Sequence, residues 1–283
     1  MIIFDAFLLW KQISHSIRRS IIGKKNLKAQ NYNPRYDTFP KKMPKIIWFY
    51  WHEPIEQAPE AVRLGIESWC RNNPNWTVNV LSENTVKEHI TLEEPPRDRK
   101  IQWRADVIRI ALLAKYGGVW IDATTFCTRK LDDWLPQLME SGFFAFPDSY
   151  PGRMMSNSFI AAVPGNYLVT KWSKLMNRYW QKNGKLLHYF WCMHLFEFIV
   201  TTDRKAAKIW NDTPKLHSKA HMLLKRYVTQ NDFFTPIPVD VEVASTPFQK
   251  MSTSSALKDG TWLAGPRQGK NIDIGELTSV RKD

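Results

Sequence analysis

Cysteine is scarce in this chain. Its 283 residues include three, Cys70, Cys127 and Cys192, far apart and without a Cys-x-x-Cys pair. That excludes a disulfide framework and a cysteine zinc site, and it fits a reducing compartment in which the three act as small buried hydrophobes. Long apolar runs are missing too: nowhere do about 18 apolar residues follow one another, as a membrane-spanning helix requires. Zinc-finger spacing, an RNP-like aromatic strand and a long arginine-rich arm are absent, so nucleic acid is not expected as a partner. Acidic residues are in short supply, 27 against 40 Lys and Arg, for a formal net charge of +13. Such an excess bears on association and not on fold. It leaves two kinds of polyanion, an anionic membrane surface and a phosphorylated substrate.

Apolar and aromatic residues are plentiful. Hydrophobic residues make up 43% of the chain and tryptophans number 13, a content that suits a folded core and aromatic-lined clefts. The length suits one main domain with appendages.

Residues 1–30 combine Ile3, Phe7, Trp10, Ile17 and Ile21 at roughly helical spacing with Lys11, Arg18, Arg19, Lys24 and Lys25. Asp5, Lys11 and Gln12 interrupt the apolar stretch and no small-residue cleavage site follows, which argues against a secretory signal. The pattern predicts an amphipathic basic helix lying on an anionic membrane surface, with a helix docked on the body of the protein as the alternative. Residues 31–43 read as a linker, 44–265 as the main domain and 266–283 as a polar tail.

The main body opens with PKIIWFYWHEP, a compact apolar run that predicts a buried first strand. Val62, Ile66 and Trp69 then share one helical face, Asn72-Asn73-Pro74 stops that helix, and WTVNVLS alternates into a second strand. Strand, helix, strand predicts an α/β layer with a mainly parallel sheet. In IQWRADVIRIALLAKYGG, Ala105, Ile108, Leu112 and Leu113 form a helical stripe closed by Gly117. Asp106 and Arg109 lie three apart, on one face of it. The short strand VWID follows, and Asp122 ends it. In an open α/β sheet, ligands bind beyond the carboxyl ends of the strands, so an aspartate there is placed for chemistry. SGFFAFPDS and MSNSFIAAVPGN predict two more strands, Tyr167–Trp180 a helix, the nearly all-apolar Leu186–Val200 a buried helix, and VDVEVAS a late strand.

Taken in order, PKIIWFYW, WRADVIRIALLAKYGGVWIDATTFCTRKLDDW, SNSFIAAVPGN and YFWCMHLF resemble the bacterial capsular polysaccharide synthesis proteins, glycosyltransferases with a DXD-type sugar-binding region. The resemblance covers roughly residues 44–251. It implies a GT-A-like nucleotide-sugar-binding domain and hexosyl transfer, with retention of configuration, from a nucleotide-diphosphate sugar. UDP-sugar is the implied donor, a growing glycan or lipid-linked glycan the acceptor, and the cytoplasmic face of the cell membrane the location. Carried across by position, Trp51 would stack on the base, Asp106 would hold the donor sugar, Arg109 its diphosphate, and Asp122 is the first acid of the motif. Asn157 would hydrogen-bond sugar or acceptor.

The chain departs from that pattern at Thr124, which stands where the motif carries its second carboxylate. A hydroxyl is a weaker ligand for a hard divalent cation. Two alternatives follow: Asp122 with His194 or a C-terminal residue completes a weak Mn²⁺ or Mg²⁺ site, or Lys250 and arginine neutralise the diphosphate without metal. The incomplete motif also allows a different class, a non-catalytic sugar-binding or scaffold subunit of a polysaccharide assembly complex.

Overall fold

The computed structural model describes residues 3–8, 10–11, 40, 42–92, 100–147, 153–182, 188–216 and 247–251, and the backbone of three short strands within 256–273. Among the described residues no helix is long and apolar enough to cross a membrane.

A helical stretch at residues 3–8 and 10–11 (α1) precedes the first strand, β1 (Ile46–Tyr50). Next come α2 (Glu60–Asn72), β2 (Thr77–Leu81), the short α3 (Val86–His89), α4 (Ile101–Tyr116), β3 (Gly118–Ile121) and β4 (Thr125–Cys127). The chain continues through β5 (Phe143–Pro147), β6 (Met155–Ala162), α5 (Tyr167–Lys182), α6 (Trp191–Thr202) and α7 (Arg204–Asp212). It then returns as β7 (Phe248–Lys250) and the strands β8 (Ala256–Lys258), β9 (Thr261–Leu263) and β10 (Asn271–Asp273).

The central sheet runs β2-β1-β3-β6-β5. β1 pairs parallel with β2 and β3, whereas β3–β6 and β5–β6 are antiparallel. The sheet is therefore mixed, which corrects the expectation of a mainly parallel one. The reason lies in the connections: the link from β5 to β6 is too short for the dozen or more residues of a parallel crossover, so the chain turns straight back. A strand buried on both faces has the same apolar sequence in either direction.

Both faces of the sheet are covered. Trp48, Tyr50, Trp120 and Ile160 point into one core with α4, α5, α6 and α7, while Ile47, Phe49, Val119, Ile121 and Phe159 point into a second core that includes α2. The alternation is the period of two of a pleated strand. On α2 the predicted Val62, Ile66 and Trp69 are all buried, and on α5 Leu168, Trp172 and Tyr179 are as well. Cys127 and Cys192 are buried as expected, but Cys70 is exposed, because it falls on the solvent side of α2.

The passage from α4 to β3 depends on its two glycines. Gly117 and Gly118 have φ of 68° and 89°. A Cβ on Gly117 would come within 2.6 Å of the Pro164 ring, and one on Gly118 within 2.6 Å of the Ile46 carbonyl oxygen. Only glycine fits both the backbone and the space. The pair sets β3 beside β1 and carries Asp122 to the sheet's edge.

At the N-terminus, Phe4 and Leu8 are buried, with the Phe4 ring 5.1 Å from Tyr179 and 5.4 Å from Phe198. Lys11 forms an ion pair with Glu197. This stretch is thus docked on α5 and α6, the alternative to a helix lying free on a membrane. The docked side is offset from the predicted stripe: Ile3 and Trp10 are exposed. Residues 12–39, with the remaining basic residues of that segment and most of the linker, lie outside the described residues, as does the strand expected in VDVEVAS. β10 falls within the expected polar tail and pairs with β9, so strand pairing joins residues on either side of the expected 265/266 boundary.

Candidate active site

Because β1 and β3 are parallel neighbours, their carboxyl ends open at the same edge of the sheet. Trp51 follows β1 and Asp122 follows β3 there. The amide of Asp122 donates to the Ser158 carbonyl at 2.9 Å, which fixes the acid against β6, where Asn157 stands. Above them α4 presents Asp106 and Arg109 one turn apart. The last contribution comes from far away in sequence: β7 pairs antiparallel with β4, setting Lys250 opposite Thr125. A cleft of about 430 Å³ results, lined by Trp51, Asp106, Arg109, Asp122, Thr124, Asn157 and Lys250 among others. Seven sequence-predicted residues meet in one place.

Their contacts form a chain of charge. Arg109 places Nη1 3.0 Å from Asp106 Oδ1 and donates from Nη2 to Asp122 Oδ1 at 3.0 Å. The Trp120 indole N–H donates to that same oxygen at 3.2 Å, and the Trp120 ring lies 5.0 Å from the guanidinium carbon. Lys250 Nζ donates to Asp122 Oδ2 at 2.7 Å and to Thr124 Oγ1 at 2.6 Å. Asn157 Nδ2 donates to Asp106 Oδ1 at 2.8 Å.

The two acids are tuned in opposite directions. Burial pushes the Asp106 carboxyl up to about 7, with Asp122 adding repulsion, and the opposing pull of Arg109 and Asn157 does not restore it. Burial also acts on Asp122, but Lys250 and Arg109 together outweigh it and hold that carboxyl below the ordinary range. At neutral pH the cleft therefore carries three cationic side chains, Arg109, Arg153 and Lys250, with one firm anion and one acid near its midpoint. The balance favours an anionic ligand.

Two buried indole N–H groups lining the cleft, those of Trp51 and Trp103, and Nε of Arg109 have no hydrogen-bond acceptor among the described residues. Each such donor costs about 1–3 kcal/mol unless something accepts from it.

The expected partnership of Asp122 with His194 is not what the fold builds. His194 is 2% exposed within α6, does not line the cleft, and turns Nδ1 toward Glu197 Oε2 at 3.7 Å with its ring edge-on to His188. It belongs to the seat of the N-terminal stretch, since Glu197 also receives Lys11. The donor set at Asp122 does not fit the divalent cation that the DXD resemblance implies. Both oxygens of that carboxylate already accept from Arg109, Trp120 and Lys250, and the Thr124 hydroxyl accepts from Lys250. Among the described residues no three His, Cys, Asp or Glu side chains are grouped to hold a metal ion.

Beyond the polar end, the cleft continues along an aromatic wall of Trp103, Tyr189 and Phe190. Lys100 Nζ lies 5.6 Å from the Trp103 ring and 5.5 Å from the Tyr189 ring, and the Arg153 guanidinium 4.2 Å from Phe190. These residues were not expected in the site. Trp103 was within reach, because it precedes Asp106 by three on the same helix face, and so was Trp120, two before Asp122 on the same side of β3. Tyr189 and Phe190 sit in an aromatic run that reads as buried helix, yet they form the turn before α6 and Tyr189 is half exposed.

A sequence model of the family described as "Capsular polysaccharide synthesis protein" matches residues 9–259. Among curated proteins, the O-glycosyltransferase braB of Annulohypoxylon truncatum is 29% identical over 168 residues, 50% of this chain and 39% of that protein. Glycosyltransferase afumC of Aspergillus fumigatus is 28% identical over 173 residues, 53% of this chain and 43% of the other. The chain thus spans about two-fifths of the length of these fungal relatives. A solved structure titled PaToxG Glycosyltransferase aligns over 73% of this chain and 86% of its own, with 18% identity and a TM-score of 0.41.

Proposed function

The chain belongs to the capsular polysaccharide synthesis protein family, and from that premise we propose that it is a glycosyltransferase. Its donor is a nucleoside-diphosphate sugar, with uridine as the base, and its acceptor a glycan or lipid-linked glycan of the cell surface. One observation carries the reading: Arg109 and Lys250 converge on Asp122 in a cleft at the carboxyl ends of β1 and β3, with Trp51 beside them. The mixed sheet serves as the nucleotide-binding part of a GT-A-like fold.

Each residue has a task suited to its chemistry. Trp51 offers a flat face for the base, a contact worth roughly 1–3 kcal/mol in nucleic-acid recognition. The forked guanidinium of Arg109 matches phosphate oxygens and stays charged, and the Lys250 ammonium adds a point charge beside it. Asp122 fixes both cations, and Asp106 with Asn157 receives hydroxyls of the transferred sugar. The aromatic wall of Trp103, Tyr189 and Phe190 forms the acceptor side.

In the transfer, the acceptor oxygen bonds to the anomeric carbon while the bond to the β-phosphate oxygen breaks, its electron pair leaving with the nucleoside diphosphate. The departing phosphate oxygen takes the acceptor's proton, which permits attack on the same face and retention. Negative charge grows on the diphosphate, and preorganised cations stabilise it without reorganising. The net charge of +13 and the exposed Ile3 and Trp10 beside the docked turn support a peripheral position on the inner face of the cell membrane.

A panel of UDP-sugars, assayed by melting temperature and by UDP release, tests the reading. At least one sugar nucleotide raises the melting temperature, as a ligand of the native state must, and is turned over. Arg109→Ala and Asp122→Ala, folded by circular dichroism, lose at least about 100-fold in turnover, the scale of removing one preorganised charge-stabilising donor. Binding without any UDP release points instead to the non-catalytic sugar-binding subunit.

A further inference from the structure

The space between Asp122 and Thr124 is already filled by a cation that belongs to the protein. In a DXD site, the first and third side chains flank a divalent ion. Here the equivalent pair flanks the ammonium of Lys250, 2.7 Å from Asp122 Oδ2 and 2.6 Å from Thr124 Oγ1. A threonine hydroxyl is a poor ligand for a hard divalent ion but a good acceptor for an ammonium N–H. The departure at Thr124 and the presence of Lys250 are therefore one feature and not two.

Four further observations bear on it. The Lys250 side chain is 12% exposed, so its stem is packed and its head is held in place. The backbone is clamped at the same point: β7 pairs with β4, and the amide of Met251 donates to the Thr124 carbonyl at 2.8 Å. The opposite oxygen of Asp122 is taken by Arg109 and Trp120, so a divalent ion would have to displace one cation while sitting beside the other. Two of the three Lys250 N–H donors are engaged by Asp122 and Thr124, and Lys250 lines the cleft.

We propose that Lys250 is the built-in counter-cation of this cleft, bridging Asp122 and Thr124 and directing its third N–H to a bound diphosphate, so that nucleoside diphosphate binding needs no divalent cation. The inference rests on the reading of the cleft as a nucleoside-diphosphate site. It adds that the protein's own lysine does what a metal does in sites with two carboxylates.

Isothermal titration of the full chain with UDP, GDP and ADP, each with EDTA and with Mn²⁺, is the test. The expected result is that one nucleotide binds with the same affinity, within about twofold, in both media. Lys250→Met, which keeps the length of the stem, weakens that binding at least tenfold in EDTA, whereas Lys250→Arg keeps part of it. The double variant Thr124→Asp with Lys250→Ala recreates the two-carboxylate arrangement, and it gains nucleotide binding on adding Mn²⁺ and retains Mn²⁺ detectable by paramagnetic resonance. Wild-type binding that appears only with Mn²⁺ overturns the inference and leaves the nucleotide site standing. Unchanged affinity in folded Lys250→Met overturns it as well. If no nucleotide binds in either medium, the nucleotide site itself is refuted and the role of Lys250 goes with it.

Discussion

Asp106 and Asp122 share one arginine and answer pH in opposite senses. The Asp106 carboxyl is raised from 3.8 to about 7, so between those values the folded protein keeps a proton that the unfolded chain has released. Stability from this group therefore falls as pH rises from about 4 to about 7, then levels off. The Asp122 carboxyl is lowered below its ordinary 3.8. The unfolded chain takes up that proton first, so the stability it adds is complete above the ordinary value and is lost as pH falls through the folded one. Urea unfolding across pH 3–8 separates the two. Asp106→Asn flattens the pH 4–7 limb, and Asp122→Asn flattens the limb below pH 4. At pH 7 Asp122→Asn also costs about 1–3 kcal/mol, since Arg109 and Lys250 lose the charge they share.

Among the elements, the junction of α4 and β3 tolerates little change. Gly118→Ala puts a Cβ against the Ile46 carbonyl at a φ of 89°. The strain of such a conformation is about 1–3 kcal/mol before the clash is counted. A loss of stability of at least that size is expected in urea unfolding, larger than for Gly165→Ala, where φ is also positive but an added Cβ would meet nothing within 4 Å. The α4 stripe, the closing glycine and Asp122 at the end of β3 could all be read from residue spacing, because each is a local signal over a few turns or one strand. Strand direction could not, since apolar runs carry no arrow. The β4–β7 pair was hidden for a different reason: three residues per strand are too few to show a period, so Lys250 came from the family resemblance and not from pattern.

For the whole molecule, the N-terminal stretch is a structural part of the body. Deleting residues 1–11 uncovers Tyr179 and Phe198 and leaves Glu197 without Lys11. Burying Phe4 and Leu8 is worth about 1.5–3 kcal/mol each. Calorimetry is therefore expected to show a melting temperature lower by roughly 6–24 °C, at about 2–4 °C per kcal/mol for a chain of this size. An unchanged melting temperature would mean that the stretch does not hold the fold. Composition carried the presence of this segment and its aromatic character, but the face that docks is set by the shape of α5 and α6, which no residue within the segment encodes.

The pairing of β4 with β7 also has a consequence in time. Lys250 and Asp122 are 128 residues apart. At about 5–20 residues per second, a ribosome needs roughly 6–25 s to travel from one to the other. Throughout that interval the nascent chain carries Arg109 and Asp122 but not the lysine that joins them, and the edge of β4 waits uncovered. The cleft is completed only when one of the last segments of the described fold arrives, so an unfinished chain holds an acid with one of its two cations and has no finished place for a ligand.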